Sequence, residues 1–421
     1  MKFVHAADLH LDSPLKGISA SAEQEPAVAA ALSQAGFQAW ENLVKLCLDE
    51  EADFLVVAGD VFDGAQRALG AQFAFVDGLK RLDDAGIPAF VCHGNHDPLS
   101  GWAPAVKPPQ STVVFGTEVS EHRIERLGVR LVGKSYGERA EHESPVAAYT
   151  VTREPNVFSI GVLHASVGDS PGHSAYAPCT VAQLGQTNLD YVALGHIHQH
   201  GVLSAPGARP FIAYPGCIQG RHIRESGPKG CLVVEVEAGH VTERFVPLDV
   251  VRWELLEVDA EGMDDHGDLR AALERALEEA LSRAEGRSLC ARIHLAGRTA
   301  LDAELRARGA AEEMLPELRE NFAHAEPFAW VEDIKLGTKP ELDLDARAEQ
   351  EDLLGLALRL GFEAHRSQAL PHGARAIAEE ISSSTVLREA LGSFNDDEVR
   401  EALEDALVRC YESLEGGGAG S

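Results

Sequence analysis

The 421-residue sequence predicts an α/β protein: a largely parallel, buried sheet with helices packed on it, then a smaller α+β unit and a helical C-terminal region. Three observations lead there. Short apolar runs alternate with amphipathic runs of helical period over the first hundred residues, in the β-loop-α order of parallel sheets. The apolar runs break into polar turns at their C-terminal ends, where such sheets carry their functional loops. The composition, 45% hydrophobic and 25% charged, is that of a soluble globular chain, and the length calls for two or three domains.

Lys2 to Ala6 is a short strand leading into Asp8-Leu9-His10. From about Glu23 to Glu50 the spacing is helical, with Phe37, Trp40, Leu43, Val44, Cys47 and Leu48 on one face. Asp53 to Ala58 is an apolar strand ending in Gly59-Asp60-Val61-Phe62-Asp63, and Gln66 to Ala85 is a second amphipathic helix. Pro88 to Cys92 is the next buried strand; after it come His93-Gly94-Asn95-His96-Asp97, where Gly94 permits the backbone angles of a turn. Val157 to Leu163 ends at His164, and Asp190 to Leu194 ends in Gly195-His196-Ile197-His198. Phe211 to Tyr214, Gly230 to Glu237 and His240 to Pro247 read as antiparallel strands, and this first unit closes near residue 250.

Residues 251–340 form the smaller α+β unit: strands from Trp253, Ser288 and Phe328, and a charged helix from Leu269 to Ala284. Residues 341–415 are helical and acidic, with runs at Ala346 to Leu360, Ala374 to Leu391 and Asp396 to Leu414; the Gly/Ser-rich end, 416–421, reads as disordered. Seven scattered cysteines without a CxxC pair suggest neither a zinc ribbon nor a disulfide framework, so a reduced cytoplasm fits. No signal peptide and no run long enough to span a bilayer is evident.

Five strand ends thus carry metal-binding side chains: Asp8 and His10; Asp60 and Asp63; Asn95, His96 and Asp97; His164; His196 and His198. Two divalent ions need such a mixture of carboxylate, amide and imidazole donors, with one carboxylate between them to offset their repulsion. A single strand-end histidine is ordinary turn chemistry; five such ends in one sheet are not.

These motifs, Asp8-x-His10, Gly59-Asp60-x-x-Asp63, Gly94-Asn95-His96-Asp97, His164 and Gly195-His196-x-His198, resemble those of the calcineurin-like metallophosphoesterases. The opening Phe3 to Asp12 and the stretch Tyr214 to His222 with Gly227-Pro228-Lys229-Gly230 are similar to the YhaO-type branch of the SbcD-like DNA-repair exonucleases. The resemblance implies a four-layer α-β-β-α sandwich over residues 1–250 and a capping domain over 251–340. It implies two divalent ions, with manganese expected. Asp8, His10 and His198 would hold one, Asn95, His164 and His196 the other, and Asp60 would bridge them. His96 would stand beside the scissile phosphate and protonate the leaving oxygen, oriented by Asp63. It implies DNA as substrate and a coiled-coil P-loop ATPase as partner, docked through the C-terminal helices, and leaves a homodimer open.

His5, His93 and His200 read as packed neighbours of ligands, Asp12 and Asp97 as turn carboxylates. Arg221, His222, Arg224 and Lys229 form the densest basic cluster and read either as a solvated loop or as a phosphate contact near the cleft. The net charge of -30, roughly two thirds of it after residue 250, argues against unaided nucleic-acid capture. Three functions therefore compete: a metal-dependent DNA nuclease, a phosphodiesterase or phosphatase for a small phosphorylated substrate, and a non-catalytic subunit of a DNA-repair complex. The complete ligand set argues against the last.

Overall fold

A computed structural model describes residues 1–13, 25–64, 68–100, 106–141, 144–168, 177–307, 310–341, 344–366 and 406. The chain divides into two units, Met1–Lys339 and Pro340–Ser421.

The first unit begins with β1 (Lys2–Ala6), α1 (Pro26–Asp49), β2 (Phe54–Ala58), α2 (Leu69–Asp84), β3 (Ala89–Cys92) and β4 (Val113–Val114). It continues with β5 (Ser120–Ile124), β6 (Val129–Gly133), β7 (Phe158–His164), α3 (Val181–Leu184), β8 (Tyr191–Gly195), β9 (Gly201–Val202), β10 (Phe211–Tyr214), β11 (Gly230–Glu237) and β12 (His240–Pro247). These strands make two six-stranded sheets, not one, in the orders β12-β11-β1-β2-β3-β4 and β5-β6-β7-β8-β10-β9. Each keeps four adjacent parallel strands and takes antiparallel partners outside them. The expectation of antiparallel pairing for Phe211 to Tyr214 is half corrected: β10 runs parallel to β8 and antiparallel only to the two-residue β9.

The faces that meet between the sheets are aromatic and β-branched. Phe3 stacks on Phe54 with ring centroids 4.9 Å apart and meets the edge of Tyr191 at 5.2 Å; Val56, Phe90, Phe115, Ile160 and Val162 fill the remainder. Helices α1 and α2 cover the outer face of the first sheet with Trp40, Leu43, Phe75 and Leu79. Pro26 starts α1, where a missing N–H costs nothing, and Val28, Leu32, Ala35, Ala39 and Leu43 return to its buried side. Over the outer face of the second sheet, the described residues offer a 3₁₀ turn at Val146–Tyr149 and the short α3. Three layers of the expected sandwich are therefore as anticipated, and the fourth is mostly irregular among the described residues.

The main elements of the remainder of this unit are β13 (Val251–Asp259), α4 (His266–Arg283), β14 (Ser288–Ala296), α5 (Ala310–Ala323) and β15 (Ala329–Leu336). The three strands pair in the order β13-β14-β15, all parallel. The α+β expectation is corrected here, because each crossover passes through a helix and so brings the next strand back parallel. Asp265 caps α4 by accepting from Gly267 and Asp268 N–H, and Leu269, Leu273, Leu277 and Ala280 bury its apolar stripe. The opposite face of this sheet, with Trp253, Cys290 and Trp330, packs on Val28, Leu32 and Ala35 of α1.

The second unit shows α6 (Leu344–Ala348) and α7 (Leu353–Arg366), which share a small cluster of Ala348, Leu354 and Leu358. Leu353, Leu356 and Leu360 are exposed. The helices expected over 374–391 and 396–414, and the end 416–421, lie outside the described residues. No helix among the described residues is long and apolar enough to cross a membrane. The six described cysteines are free and buried.

Candidate metal centre

The five strand ends converge. β1, β2 and β3 run parallel to one another in the first sheet, as do β7 and β8 in the second, and the bonds from His196 N–H to Asp8 and from His164 Nδ1 to the Ala58 carbonyl bring their C-terminal ends to one rim of the sandwich. The loops there are not relaxed. Asp8, His10, Asp60 and His196 have φ of 52, 44, 51 and 101°, the left-handed region that costs a side-chain-bearing residue energy and that clusters at functional sites. Gly94 has no such φ; its lack of a side chain is needed for space. A Cβ there would lie 2.2 Å from Asp60 Oδ1 and 2.7 Å from His164 Nε2. The backbone-angle reason inferred from sequence is thereby corrected.

Four groups of potential ligands form among the described residues, three of them at the strand ends and the fourth of His198, Cys217 and Glu225. Asp8, His10 and His198 offer one atom each within 4.8 Å, as do Asp8, Asp60 and His164, and His10, Asp63 and His96. Asp60 Oδ2 lies 3.7 Å from His10 Nε2 and 3.5 Å from His164 Nε2. His10 Nε2 and His198 Nε2 are 3.3 Å apart. Asn95 Oδ1 lies 3.0 Å from His164 Nε2 and 3.2 Å from His196 Nδ1. Asp8 accepts the His196 N–H at 3.1 Å, tying the first sheet's loop to the second's. All seven expected ligands thus sit in one cluster.

His164 gives the sharpest test of what the cluster is built for. Its Nδ1 lies 3.0 Å from the Ala58 carbonyl, which accepts the ring proton. Burial pushes the imidazole down to about 4, so it is neutral and carries that one proton. Nε2 then presents a bare lone pair to Asn95 Oδ1 at 3.0 Å and to Asp60 Oδ2 at 3.5 Å, both of them acceptors once Asp60 is ionised. Two lone pairs aimed at each other in a dry site repel, unless a cation stands among them. The carboxylates report the same deficit. Burial first, then Asp60, raises Asp8 well above the ordinary carboxylate range; burial, then Asp97, pushes Asp60 up to about 7. The donor set fits divalent cations.

His96 is different. Its side chain is 42% exposed and its Nδ1 lies 2.9 Å from Asp63 Oδ1, whose hydrogen bond raises its basicity. Asp63 also faces His10 Nδ1 at 3.3 Å and accepts from Ser13 Oγ at 3.0 Å. His10 first, then His96, holds its carboxyl far below the ordinary range.

The neighbours expected to be packed are packed. His5 is bonded to Tyr191 Oη and the Leu194 carbonyl; His200 stacks on Phe245. Asp97 accepts from Val61, Phe62 and Gly94 N–H and meets His93 Nδ1 at 2.6 Å, clamping the loops after β2 and β3 together. Asp12 accepts from Asp63 and Ala68 N–H.

The basic cluster divides. Arg221 and Lys229 are buried. Arg221 binds Asp63, Ser13 and Glu225, and Lys229 donates to the His198 carbonyl and Gln199. A solvent-facing phosphate contact does not describe either of them, because both are buried and their terminal nitrogens are engaged inside the protein. Arg224 is exposed and His222 half-buried. The residue that sequence reasoning missed is Glu225, 5% exposed, whose Oε1 lies 2.6 Å from His198 Nδ1. Its signal was available: it is the one acid inside the basic stretch.

A model of the calcineurin-like phosphoesterases matches residues 1–200, and a model of the metallophosphoesterase YhaO middle domain matches residues 253–339. An uncharacterized metallophosphoesterase YhaO of Bacillus subtilis is 35% identical over 419 residues, 97% of this chain and 96% of that protein. The DNA double-strand break repair protein Mre11 of Haloferax volcanii is 25% identical over 88% of this chain and 76% of its own length. Mre11 of Methanococcus maripaludis is 23% identical over 51% of this chain and 56% of its own length.

Proposed function

The chain belongs to the calcineurin-like metallophosphoesterases of the YhaO type, and from that membership we propose that it is a metal-dependent DNA nuclease that cleaves phosphodiester bonds at a two-metal site. The observation that carries the metal chemistry is the lone pair of His164 aimed at Asp60. Support for DNA as substrate comes from the similarity to a DNA double-strand break repair protein over 88% of this chain.

In this reading Asp8, His10 and His198 would hold one ion and Asn95, His164 and His196 the other, with Asp60 shared, and manganese is the metal proposed. When bound, the ions lower the pKa of water and neutralise phosphate oxygens. The protein's own part is orientation and proton transfer. His96, held at Nδ1 by Asp63, turns its other nitrogen toward solvent, where it can stabilise phosphate charge and give a proton to the departing oxygen. Exposed Arg224 and half-buried His222 are the members of the basic cluster free to meet a phosphate backbone. Residues 1–250 act as the catalytic domain and 251–340 as a cap that orients DNA. An exonuclease polarity and a coiled-coil P-loop ATPase, docked on the apolar side of α7, complete the proposal. A basic ATPase surface would offset the charge of -30.

The test is purified protein with Mn²⁺ against end-labelled single- and double-stranded DNA, beside nucleotides and a generic phosphodiester. Processive loss of label from DNA ends is expected. Turnover of the small phosphoesters without DNA cleavage would replace the nuclease by a small-molecule phosphodiesterase.

A further inference from the structure

His198 is held at both ring nitrogens. Nε2 faces His10 Nε2 at 3.3 Å and Asp8 Oδ1 at 3.9 Å, while Nδ1 lies 2.6 Å from Glu225 Oε1 and, farther off, 3.2 Å from Arg221 Nη2, which also donates to that Oε1. The Glu225 carboxylate accepts that ring proton and is itself fixed twice. Its Oε2 accepts the Arg221 backbone N–H at 2.7 Å, and its Oε1 accepts from Arg221 Nη2 at 3.2 Å. Arg221 Nη1 continues to Asp63 Oδ1 at 3.3 Å, which holds His96 at 2.9 Å. The loop that carries this pair is anchored on β13. Trp253 Nε1 donates to the Gly220 carbonyl at 3.0 Å, and Gln219 donates to the Val251 carbonyl at 2.6 Å while accepting from Val250 N–H at 3.0 Å.

We propose that Glu225 is a positioning residue that locks His198 in the Nδ1–H tautomer, so that its Nε2 lone pair faces Asp8 and His10 and the affinity of one of the two metal ions is set from the loop between the catalytic sheets and β13. The inference rests on the two-metal reading above. The chemistry is direct. An imidazole binds a cation through one nitrogen only if the proton stays on the other, and a carboxylate at 2.6 Å keeps it there and makes Nε2 more basic. Hydrogen bonds from His198, from the Arg221 backbone N–H and from the Arg221 guanidinium satisfy this buried carboxylate. Arg221 serves the same end, balancing the buried charge and tying it to Asp63. A rival arrangement exists on the same atoms, since His198, Cys217 and Glu225 also offer three ligand atoms within 4.8 Å. Against it, the nitrogen of His198 nearest Glu225 is already engaged by a hydrogen bond, and the Cys217 thiol donates to the His198 carbonyl 3.6 Å away.

The experiment is calorimetric titration of Mn²⁺ into the metal-free full chain, as wild type, Glu225→Ala, Glu225→Gln and Cys217→Ala, with ¹⁵N spectra of the histidine side chains. Wild type should bind two ions. Glu225→Ala should weaken one of them by about ten- to hundredfold and leave the other; Glu225→Gln, whose amide oxygen still accepts the ring proton, should restore most of the loss; Cys217→Ala should match wild type. The spectra of the wild type should place the His198 proton on Nδ1, a readout that does not depend on any variant folding. Wild-type affinity for both ions in a folded Glu225→Ala protein, or the proton on Nε2, overturns the proposal. A loss in Cys217→Ala equal to that in Glu225→Ala makes the three residues a metal site of their own and overturns it too. Failure of the wild type to bind a pair of ions defeats the two-metal reading itself, and this inference with it.

Discussion

Gly94→Ala isolates the space requirement of the metal centre from its chemistry, because no donor is removed. The added Cβ would lie 2.2 Å from Asp60 Oδ1, 2.7 Å from His164 Nε2 and 2.8 Å from His164 Cδ2. Contacts below 3.0 Å are essentially never adopted by real Cβ atoms, so the Asp60 oxygen must retreat by about 0.8 Å or the loop must shift by as much. Both residues pressed upon are ligands in the proposed arrangement, and a displacement near 1 Å in reacting geometry costs about 10²-fold in rate. The backbone carries little of the penalty, since Gly94 does not need a left-handed φ. Restricting the unfolded chain even returns about 0.4–1 kcal/mol of stability. The expected outcome is therefore a folded protein with a melting temperature near wild type, weakened binding of both ions and turnover of a generic phosphodiester down by about 10²-fold. Normal turnover with two tightly bound ions would refute the reasoning, and so would a collapse of melting temperature without loss of metal.

Asp60→Asn keeps the shape of the shared ligand but removes its charge; metal analysis should find one ion lost and turnover reduced by at least about 10²-fold. His96→Ala should retain both ions and lose about 10²-fold or more in turnover, and a parallel fall in metal content would reassign His96 as a ligand. Truncation after Lys339, at the boundary of the two units, should leave metal binding and basal activity unchanged while abolishing co-purification with the ATPase; full-stoichiometry capture by the truncated chain would show that the tail does not dock it.

Local sequence carried the donor set because each ligand sits just beyond an apolar strand, where a run such as Phe54 to Ala58 gives way abruptly to Gly59-Asp60. It could not carry the number of sheets. Whether β7 pairs with β3 or founds a second sheet is decided by contacts such as Phe3 on Tyr191, between residues far apart in the chain. The parallel order of β13, β14 and β15 was legible, because the strand-helix-strand order that marks the first hundred residues recurs there and a helical crossover returns the next strand parallel. Glu225 escaped because its partner His198 lies 27 residues earlier, while its immediate neighbours read as a basic loop. Burial reverses the meaning of such a loop: Arg221 and Lys229 balance and support groups inside the site.

The left-handed backbone at Asp8, His10, Asp60 and His196 bears on how this protein would respond to selection for heat tolerance. Each such residue stores of order 1 kcal/mol in the metal-free chain, and glycine or asparagine would release part of it. A library screened only for survival at high temperature, without metal or substrate, would therefore be drawn to these four positions as well as to Glu51, Ala177, Ala238 and Glu285, which share the conformation. Substitutions at the four would come at the expense of the metal centre, whereas those at the others would not touch a ligand.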